Sequence, residues 1–279
     1  MGNYLVTGAN GGMGRAVCAA LSGSGNRVWG IDLTPFPEDI PWRGIQADLT
    51  DESSLARASG ILEKEAGSLN GIVHAAGIYD LDSLVEIPGE RFLRAFDVNL
   101  FGVYRINRLL LPLLAAGSRI VVISSELAPL SPLPFTGLYA VTKGALEQYA
   151  SALRMELRLL GHRVIVIRPG AVSTGMLDVS AASLDRFCAG TKLYRCNARR
   201  FRAIVSRVET RSIPPERIGE TVRKALAAKH PRLVYSLNRS PLLLLFDLLP
   251  GRLRLWLIGK VIAAPQTSSE SIDFSADDP

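Results

Sequence analysis

Short apolar runs and longer amphipathic segments alternate along the first two thirds of the chain. Runs rich in Val and Ile between turn residues are typical of strands buried on both faces of a parallel sheet. The segments between them carry apolar residues three and four positions apart, which is the periodicity of a helix packed on one side. The pattern predicts strands at 4–7, 27–31, 44–47, 71–75, 119–123, 164–167 and 233–236, and helices at 12–22, 52–65, 89–114, 139–160 and 215–228. Strands that alternate with helices in this way predict an α/β fold.

The chain is predicted to form one domain over residues 1–239, because no internal repeat and no Pro/Ser-rich linker divides it. Residues 174–212 are too long for an ordinary connection and are predicted to form a helical lid over a site. Residues 265–279 are acidic and rich in serine, which predicts a disordered tail.

Residues 241–264 form the most apolar part of the chain. Asp247, Arg252, Arg254 and the Pro250-Gly251 pair leave no uninterrupted stretch of the ~18 apolar residues that a spanning helix needs. We therefore predict two amphipathic helices. They can pack over the pocket, on a partner subunit or at a membrane interface, and the pattern leaves these three arrangements open.

The composition is that of a folded protein, since 48% of the 279 residues are hydrophobic and 21% are charged. The three cysteines, Cys18, Cys188 and Cys196, include no C-x-x-C pair, which excludes a disulfide scaffold or a zinc finger and indicates a reducing compartment. The first residues lack the features of a signal peptide. We expect a cytoplasmic protein, with membrane association through 241–264 as a separate hypothesis.

The positive charge is concentrated near the C-terminus. The net charge is −3 over residues 1–185, +13 over 186–260 and −4 over 261–279. The basic stretch has no zinc-finger or RNP-type signature and its charges are interleaved with Leu, Ile and Val, so we expect no nucleic-acid partner. Solvated helix faces, an anionic membrane surface or an acidic substrate remain as interpretations.

A glycine-rich turn, Thr-Gly-Ala-Asn-Gly-Gly-Met-Gly at residues 7–14, follows the first predicted strand and opens the first predicted helix. Glycine lets the backbone turn sharply and approach a ligand closely, while the helix N-terminus offers unpaired N–H groups to phosphates. The turn therefore predicts a site for a dinucleotide pyrophosphate. Its predicted contacts are Gly8, Asn10, Gly12, Met13 and Gly14.

The choice between NAD and NADP is expected at the end of the second strand, where Asp32 stands. A carboxylate accepts hydrogen bonds from both ribose hydroxyls and repels a 2′-phosphate, so NAD is favoured unless Arg27 or Arg43 approaches. Asp48, with Leu49 beside it, ends the third strand. Asp48 can contact the adenine edge or cap the helix that begins near residue 51.

Tyr139 and Lys143 lie four residues apart at the start of a long helical pattern, which places both on one helix face. A nearby ammonium and a positively charged nicotinamide stabilise a phenolate, and the tyrosine can then exchange a proton with an alcohol or carbonyl oxygen. Ser125 follows the fifth strand, at the sheet edge where ligands bind in such folds. Its hydroxyl can hold the same substrate oxygen.

In combination these motifs resemble the short-chain dehydrogenase/reductase family over about residues 3–236. The resemblance is carried by Thr7-Gly8-x-x-x-Gly12-x-Gly14, Asp48, His74-Ala75-Ala76-Gly77, Asn99, Ser125, Tyr139-x-x-x-Lys143 and Pro169-Gly170-x-x-x-Thr174. It implies a single Rossmann-type, doubly wound domain with a mostly parallel seven-stranded sheet.

The resemblance also implies roles for individual residues. Tyr139 is the acid-base group, Lys143 lowers its pKa and binds the nicotinamide ribose, Ser125 orients the substrate oxygen, and Asn99 holds a water in a proton relay. The remaining implied cofactor contacts are Ala75, Gly77, Pro169, Gly170, Val172 and Thr174.

Two departures from the family pattern stand out. His74-Ala75 replaces the usual asparagine in the turn after the fourth strand, and we expect His74 to be structural. Ser125 lies 14 residues before Tyr139, one more than expected, and Glu126 occupies the shorter spacing. We still assign the role to Ser125, because a carboxylate would repel a developing oxyanion, and we expect residues 126–138 to bulge.

The segments on the substrate side are apolar, which favours a lipophilic secondary alcohol or ketone. The order of features is similar to the hydroxysteroid and retinol dehydrogenase branches of the family. The apolar candidates are Phe135, Met176, Leu177, Leu184, Phe187, Leu193 and Tyr194, and the basic lid residues that could meet an anionic group are Lys192, Arg195, Arg199, Arg200 and Arg202.

Three functional hypotheses remain open. They are an NAD(H)-linked oxidoreductase for a hydroxysteroid-like or retinoid-like substrate, the same chemistry on an acyl-thioester or natural-product ketone, and a non-catalytic dinucleotide sensor or scaffold. The resemblance also implies a homodimer or homotetramer, formed through helices 89–114 and 139–160.

Overall fold

Seven parallel strands form the centre of the computed structural model, which describes residues 1–209 and 211–263. The strands are β1 (Asn3–Thr7), β2 (Arg27–Asp32), β3 (Arg43–Gln46), β4 (Leu69–His74), β5 (Leu114–Ile123), β6 (Arg163–Pro169) and β7 (Val234–Leu237). Their order is β3-β2-β1-β4-β5-β6-β7, and each neighbouring pair is parallel. The predicted α/β architecture is confirmed, with a sheet that is wholly rather than mostly parallel.

Helices connect the strands and cover both faces of the sheet. They are α1 (Gly12–Ser22), α2 (Glu52–Ala66), α3 (Gly89–Phe96), α4 (Gly102–Leu110), α5 (Gly137–Leu159), α6 (Gly175–Gly190), α7 (Arg195–Glu209), α8 (Glu216–Ala227), α9 (Pro241–Asp247) and α10 (Gly251–Ile262). The predicted lid region contains α6 and α7, and the apolar stretch 241–264 contains α9 and α10. The predicted disordered tail, 265–279, lies outside the described residues.

The prediction of one helix over residues 89–114 is wrong. The segment is divided into α3, a π-helical turn at Asp97–Phe101, α4 and a 3₁₀ turn at Leu111–Leu113, and β5 already begins at Leu114. Pro112 lies in the 3₁₀ turn and has no N–H to continue an α-helical ladder. The π-helical turn inserts an extra residue, and this re-aims side chains toward the sheet.

The core consists of two apolar layers, one on each face of the sheet. On one face, α1 and α8 bury their apolar stripes against the central strands, and Gly219 lets α8 approach α1 because a Cβ there would lie 2.3 Å from the Ala16 carbonyl oxygen. On the other face, α2, α4 and α5 contribute buried residues such as Leu62, Ile106 and Leu146. Burial on both faces explains why the strands read as continuous apolar runs.

A smaller apolar cluster lies under α6, α7 and α10. Leu81, Leu184, Phe201 and Ile262 are buried in it, with Phe135 packed against them. Within the two described ranges, no helix combines the length and apolar character needed to cross a bilayer.

Ion pairs hold the loop after β4 against α6. Asp80 accepts hydrogen bonds from Arg91 and Arg186, and Ser183 of α6 donates to it at 2.7 Å. This loop also forms part of the wall of the site described below.

The strand order creates a crevice at one edge of the sheet. The chain crosses from β3, at one end of the sheet, to β4, on the opposite side of β1 from β2. Because successive connections leave β1 and β4 in opposite directions, their carboxyl ends open a gap between the loops that follow them. Ligands bind at such a point in doubly wound folds.

Candidate active site

The glycine-rich turn lies at the carboxyl end of β1. Gly8 has a φ of +68°, and a Cβ at this position would lie 2.6 Å from the Ala76 backbone. A Cβ on Gly12 would lie 2.5 Å from Cγ2 of Thr174, and one on Gly14 would lie 1.9 Å from the Gly8 carbonyl oxygen. The glycines are therefore required by close packing, and they leave a cradle at the α1 N-terminus that suits a pyrophosphate.

A cavity of about 530 Å³ opens beside this turn. It is lined by the predicted cofactor residues Gly8, Asn10, Gly12, Met13, Gly14, Asp32, Asp48, Leu49, Ala75, Gly77 and Thr174. Its wall also contains residues that sequence reasoning missed: Ile78, Tyr79, Arg94, Val98, Met176 and Val179. Arg94 adds a positive charge that suits phosphate oxygens.

The Asp32 carboxylate lies in the wall of this cavity and is fixed by its neighbours. Oδ2 accepts a hydrogen bond from the Asn10 N–H at 2.9 Å, and Oδ1 accepts from the N–H and hydroxyl of Thr34 at 3.0 and 2.9 Å. Arg27 and Arg43, whose approach would have weakened the preference for NAD, instead donate to Glu65. The negative charge of Asp32 thus remains in the cavity wall without either of these cations.

The helix-capping role considered for Asp48 belongs to Asp51. Asp51 caps α2, since its side chain accepts from the Ser53 N–H at 2.8 Å. Asp48 accepts from the N–H and hydroxyl of Thr50, both at 2.8 Å, and lies in the cavity wall. The position of Asp48 matches the contact with a nucleotide rather than the cap.

Tyr139 lies near the start of α5 and is almost fully buried. Its ring packs edge-on against Tyr79 with centroids 4.5 Å apart. Burial raises the pKa of Tyr139 to about 12, and a hydrogen bond with Ser125 acts in the opposite direction. Ser125 rather than Glu126 therefore contacts the tyrosine hydroxyl.

Lys143 lies one turn further along α5. Its Nζ donates to the Ile123 carbonyl oxygen at 3.1 Å and lies 5.8 Å from the centre of the Tyr139 ring. Burial lowers the pKa of Lys143 to about 8, and the charge of Glu147 opposes this shift. A desolvated ammonium beside the phenol favours the phenolate form of Tyr139.

Asn99 lies in the π-helical turn and is fully buried. Its Oδ1 accepts from the Ile78 N–H at 2.8 Å, and its Nδ2 donates to the Ile78 carbonyl oxygen and to the Thr142 hydroxyl. A Cβ on Gly77 would lie 3.2 Å from Asn99 Oδ1 and 3.3 Å from Lys143 Nζ. Asn99 and Lys143 are thus neighbours behind the wall of the site, and neither lines a cavity.

His74, at the end of β4, has the structural position that we expect. It is buried, and its Nε2 lies 2.8 Å from Oδ1 of Asn107. Burial lowers the pKa of His74 to about 4, so the ring is neutral at physiological pH. Among the described residues, no hydrogen bond links His74 to Tyr139.

A second cavity lies on the other side of Tyr139 and is mostly apolar. Ser125, Tyr139, Pro169, Gly170, Val172 and Thr174 line it, and Met13, Tyr79, Thr174 and Met176 belong to both cavities. Pro169, Gly170 and Val172 therefore face the substrate-side cavity, whereas Thr174 faces both. Tyr139 lines this second cavity, and its ring contacts Tyr79, one of the residues common to both cavities.

The walls of the second cavity differ in part from the expectation. Met176 and Leu177 line it as predicted, together with Leu127, Leu133, Ser180, Phe201, Ile204 and Leu243. The predicted residues Phe135, Leu184, Phe187 and Tyr194 instead pack in the cluster behind the wall. Phe201 was missed because α7 reaches the cavity only through tertiary packing, whereas Leu243 of α9 agrees with the arrangement in which residues 241–264 pack over the pocket.

The five basic residues predicted to meet an anionic group line neither cavity. Arg202 pairs with Asp185 at 2.7 Å on the surface, and Arg200 donates to the Ala263 carbonyl oxygen. Lys192, Arg195 and Arg199 are exposed and line neither cavity. The expectation that these side chains meet an anionic substrate group in the pocket is not supported by their placement.

A glycine-rich turn at a topological switch point, with a cavity beside it that adjoins a second cavity lined by Ser125 and Tyr139, suits a nicotinamide-dependent oxidoreductase. A family model for short chain dehydrogenase matches residues 3–184. The chain therefore belongs to the short-chain dehydrogenase family.

Individual relatives share about a quarter of their residues with this chain. A 3-ketodihydrosphingosine reductase from Bacteroides thetaiotaomicron is 25% identical over 228 residues, which are 81% of this chain and 84% of that protein. An NADPH-dependent 3-dehydrocapnine reductase from Ornithobacterium rhinotracheale is 27% identical, covering 83% and 86% of the two chains. Human retinol dehydrogenase 5 is 28% identical, covering 83% and 79%.

The fold also matches solved structures. A short chain dehydrogenase family protein from Francisella tularensis superimposes with a TM-score of 0.70 and 25% identity, over 85% of this chain and 97% of that chain. The likeness supports the same family assignment as the sequence comparison.

Proposed function

We propose that this enzyme transfers hydride between NAD(H) and a lipophilic secondary alcohol or ketone, with Tyr139 as the general acid/base. The observation that carries the proposal is the position of Tyr139. Its side chain lines the apolar cavity, while the dinucleotide cavity adjoins through residues common to both, such as Tyr79 and Thr174. A substrate carbonyl in the apolar cavity would thus lie beside both a proton donor and the cofactor.

The chain's own residues would position and protonate the substrate oxygen. Ser125 would donate a hydrogen bond to it, and Tyr139 would deliver or remove the proton. Lys143 would stabilise the developing phenolate through its charge, and Asn99 would fix the π-helical turn from which a water relay can start. The nicotinamide supplies the hydride when it is bound.

The preference for NAD over NADP is part of the proposal and rests on Asp32. Its carboxylate faces the dinucleotide cavity, and a 2′-phosphate placed against it would be repelled. One relative is by its name NADPH-dependent. The preference therefore needs a direct comparison of NADH and NADPH with one substrate.

The lipophilic character of the substrate is supported by the lining of the second cavity. Relatives named as reductases of 3-ketodihydrosphingosine and 3-dehydrocapnine and as a retinol dehydrogenase act on molecules of this kind. The test of the substrate class is NADH oxidation by the purified enzyme with a panel of long-chain ketones, retinal, ketosteroids, 3-ketoacyl thioesters and short polar ketones. Turnover of a long-chain ketone, retinal or steroid above that of the short ketones supports the proposal. Preference for a thioester supports the alternative substrate class, and cofactor binding without turnover across the panel supports a dinucleotide sensor.

Peripheral binding to an anionic membrane is a second part of the proposal. Leu242, Leu245, Leu248, Leu255 and Trp256 on α9, α10 and the turn between them are exposed, with basic residues nearby at 252 and 260. Leu243 of the same segment lines the apolar cavity, so a membrane on this face would lie close to the substrate.

Vesicle co-sedimentation tests the membrane proposal. The wild type is expected to bind vesicles containing phosphatidylserine, and a Leu245→Asp/Trp256→Asp variant is expected to lose most of this binding. Equal sedimentation of both proteins would contradict it. Uncharged phosphatidylcholine vesicles report how much of the binding depends on the basic residues.

A homodimer or homotetramer remains the proposed assembly. Phe101, Tyr104 and Val141 on the π-helical turn, α4 and α5 are 46%, 44% and 44% exposed, which leaves an apolar face for a second copy of the chain. Sedimentation velocity measures the mass directly, and a monomer at micromolar concentration would contradict this assembly.

A further inference from the structure

Glu126 is a buried carboxylate in the wall of the substrate-side cavity. It is only 7% exposed and follows directly after Ser125, which hydrogen-bonds Tyr139. Its Oε2 accepts from the Ser240 N–H at 2.7 Å, and its own N–H donates to the Pro169 carbonyl oxygen at 2.8 Å. These bonds fix the carboxylate beside the groups that surround the substrate oxygen.

The other carboxylate oxygen has no hydrogen-bond donor among the described residues. Oε1 lies against Gly170, 2.9 Å from where a Cβ of that residue would stand. Arg239 contributes a favourable charge, but its side chain is exposed, and burial still raises the pKa of Glu126. Oε1 is not fully enclosed, so it can accept hydrogen bonds from a ligand in the cavity.

A second polar group in the same wall is also unsatisfied. The Ser124 hydroxyl is 2% exposed and has no hydrogen-bond partner within the described part of the chain. Ser124 and Glu126 both line a cavity whose other walls are largely apolar, with Leu127, Leu133, Met176, Phe201 and Leu243. Ser124, Ser125 and Glu126 are consecutive and share this wall with Tyr139, so a ligand with a long apolar part can meet them at its reacting end; Thr136, Thr174 and Ser180 add further polar groups to the lining.

We propose that Glu126 and Ser124 form a subsite for a primary ammonium group on the substrate, a few bonds from the carbon that Tyr139 serves. A carboxylate oxygen only accepts hydrogen bonds, and an ammonium offers three donors together with the charge that balances a desolvated anion. A neutral hydroxyl would supply a donor but leave the charge uncompensated. Ser125 and Glu126 both line the substrate-side cavity, so they can contact neighbouring groups of one substrate. The inference deepens the proposed function, on which it rests for the identity of the reacting carbon.

Ligand binding tests the subsite without any turnover. The enzyme with NADH bound, which cannot oxidise an alcohol, is titrated calorimetrically with a long-chain 2-amino alcohol and with the same alcohol lacking the amino group. We expect the wild type to bind the amine about tenfold more tightly or better, and Glu126→Gln to bind both about equally. Glu126→Gln keeps an acceptor for the Ser240 N–H, and Glu216→Gln, an exposed carboxylate on α8, is the control for the loss of one negative charge.

Equal affinity of the wild type for the two alcohols would overturn the subsite, and this comparison needs no variant. A preference that survives in Glu126→Gln would also overturn the role of Glu126. If the Glu216→Gln control loses the preference as well, the effect is one of overall charge, and the subsite is again excluded.

Turnover of the corresponding 2-amino ketone and plain ketone separates the two proposals. An amine preference in binding with neither ketone reduced would leave the subsite standing and refute the reductase function. Reduction of the plain ketone by the wild type, with no gain from the amino group, would leave the function standing and refute the subsite. If both proposals are right, Glu126→Gln lowers the ratio of kcat/KM for the amino ketone over that for the plain ketone about tenfold.

Discussion

The buried ammonium of Lys143 should destabilise the protein when no cofactor is bound. Its removal in Lys143→Met is therefore expected to increase the free energy of unfolding while it abolishes efficient hydride transfer. The side chain is 4% exposed, so methionine replaces it in an environment that accepts apolar groups.

The magnitude follows from the pKa of Lys143. Burial lowers it from 10.5 to about 8, which at about 1.4 kcal/mol per pKa unit disfavours the charged form by about 3 kcal/mol at neutral pH. The variant loses the hydrogen bond from Nζ to the Ile123 carbonyl oxygen, which costs about 1 kcal/mol. The expected net gain in stability is about 2 kcal/mol near pH 7.

The pH dependence has a definite sign. The folded pKa lies below the unfolded value, so the penalty in the wild type is complete below about pH 8 and fades as the pH rises toward 10.5. The advantage of Lys143→Met should shrink by roughly 2 kcal/mol between about pH 7 and about pH 9.5.

Urea unfolding of both proteins without cofactor, at the two pH values, measures this difference. Lys229→Met, which removes an exposed lysine after α8, serves as the control and should change stability little at either pH. A less stable Lys143→Met at neutral pH, or a gain that does not depend on pH, would refute the reasoning.

Two further predictions concern the reaction. Asp32→Asn keeps one acceptor oxygen for the Thr34 contacts, loses the acceptor of the Asn10 N–H and removes the charge, so the ratio of kcat/KM for NADPH over NADH should rise about tenfold or more, and an unchanged ratio would argue against Asp32 as the discriminator. The kcat/KM for ketone reduction should fall as the pH rises through about 8, because Lys143 loses its charge there while Tyr139, with a pKa near 12, stays protonated in the enzyme without cofactor. A profile that is flat or rises between about pH 7 and pH 9 would contradict this assignment.

The strands and the glycine-rich turn could be predicted because their causes are local. The continuous apolar runs and the spacing of Gly8, Gly12 and Gly14 are visible in the sequence itself. The structure adds the reason, since a Cβ at each of these glycines would clash. The Tyr139-Lys143 spacing likewise follows from helix periodicity. These features needed no knowledge of which distant segments pack together.

The missed features depend on tertiary contacts. The substrate-side wall includes Tyr79 and Phe201, which come from two distant parts of the chain. The partner of Glu126 is Ser240, 114 residues away, so the sequence showed only a carboxylate at an unusual spacing. The helix predicted at 89–114 is interrupted by the π-helical turn that contains Asn99. The Asn99 side chain bonds to Ile78 and Thr142, and no local sequence pattern indicates these contacts.

The proton transfer through the Tyr139 hydroxyl is tested most directly by Tyr139→Phe. Phenylalanine keeps the ring contact with Tyr79 and removes only the oxygen that reaches Ser125. We expect kcat/KM for ketone reduction to fall about a hundredfold or more, with NADH binding, measured by fluorescence titration, unchanged. Activity close to that of the wild type, with the same cofactor affinity, would contradict the role of Tyr139 as the acid/base.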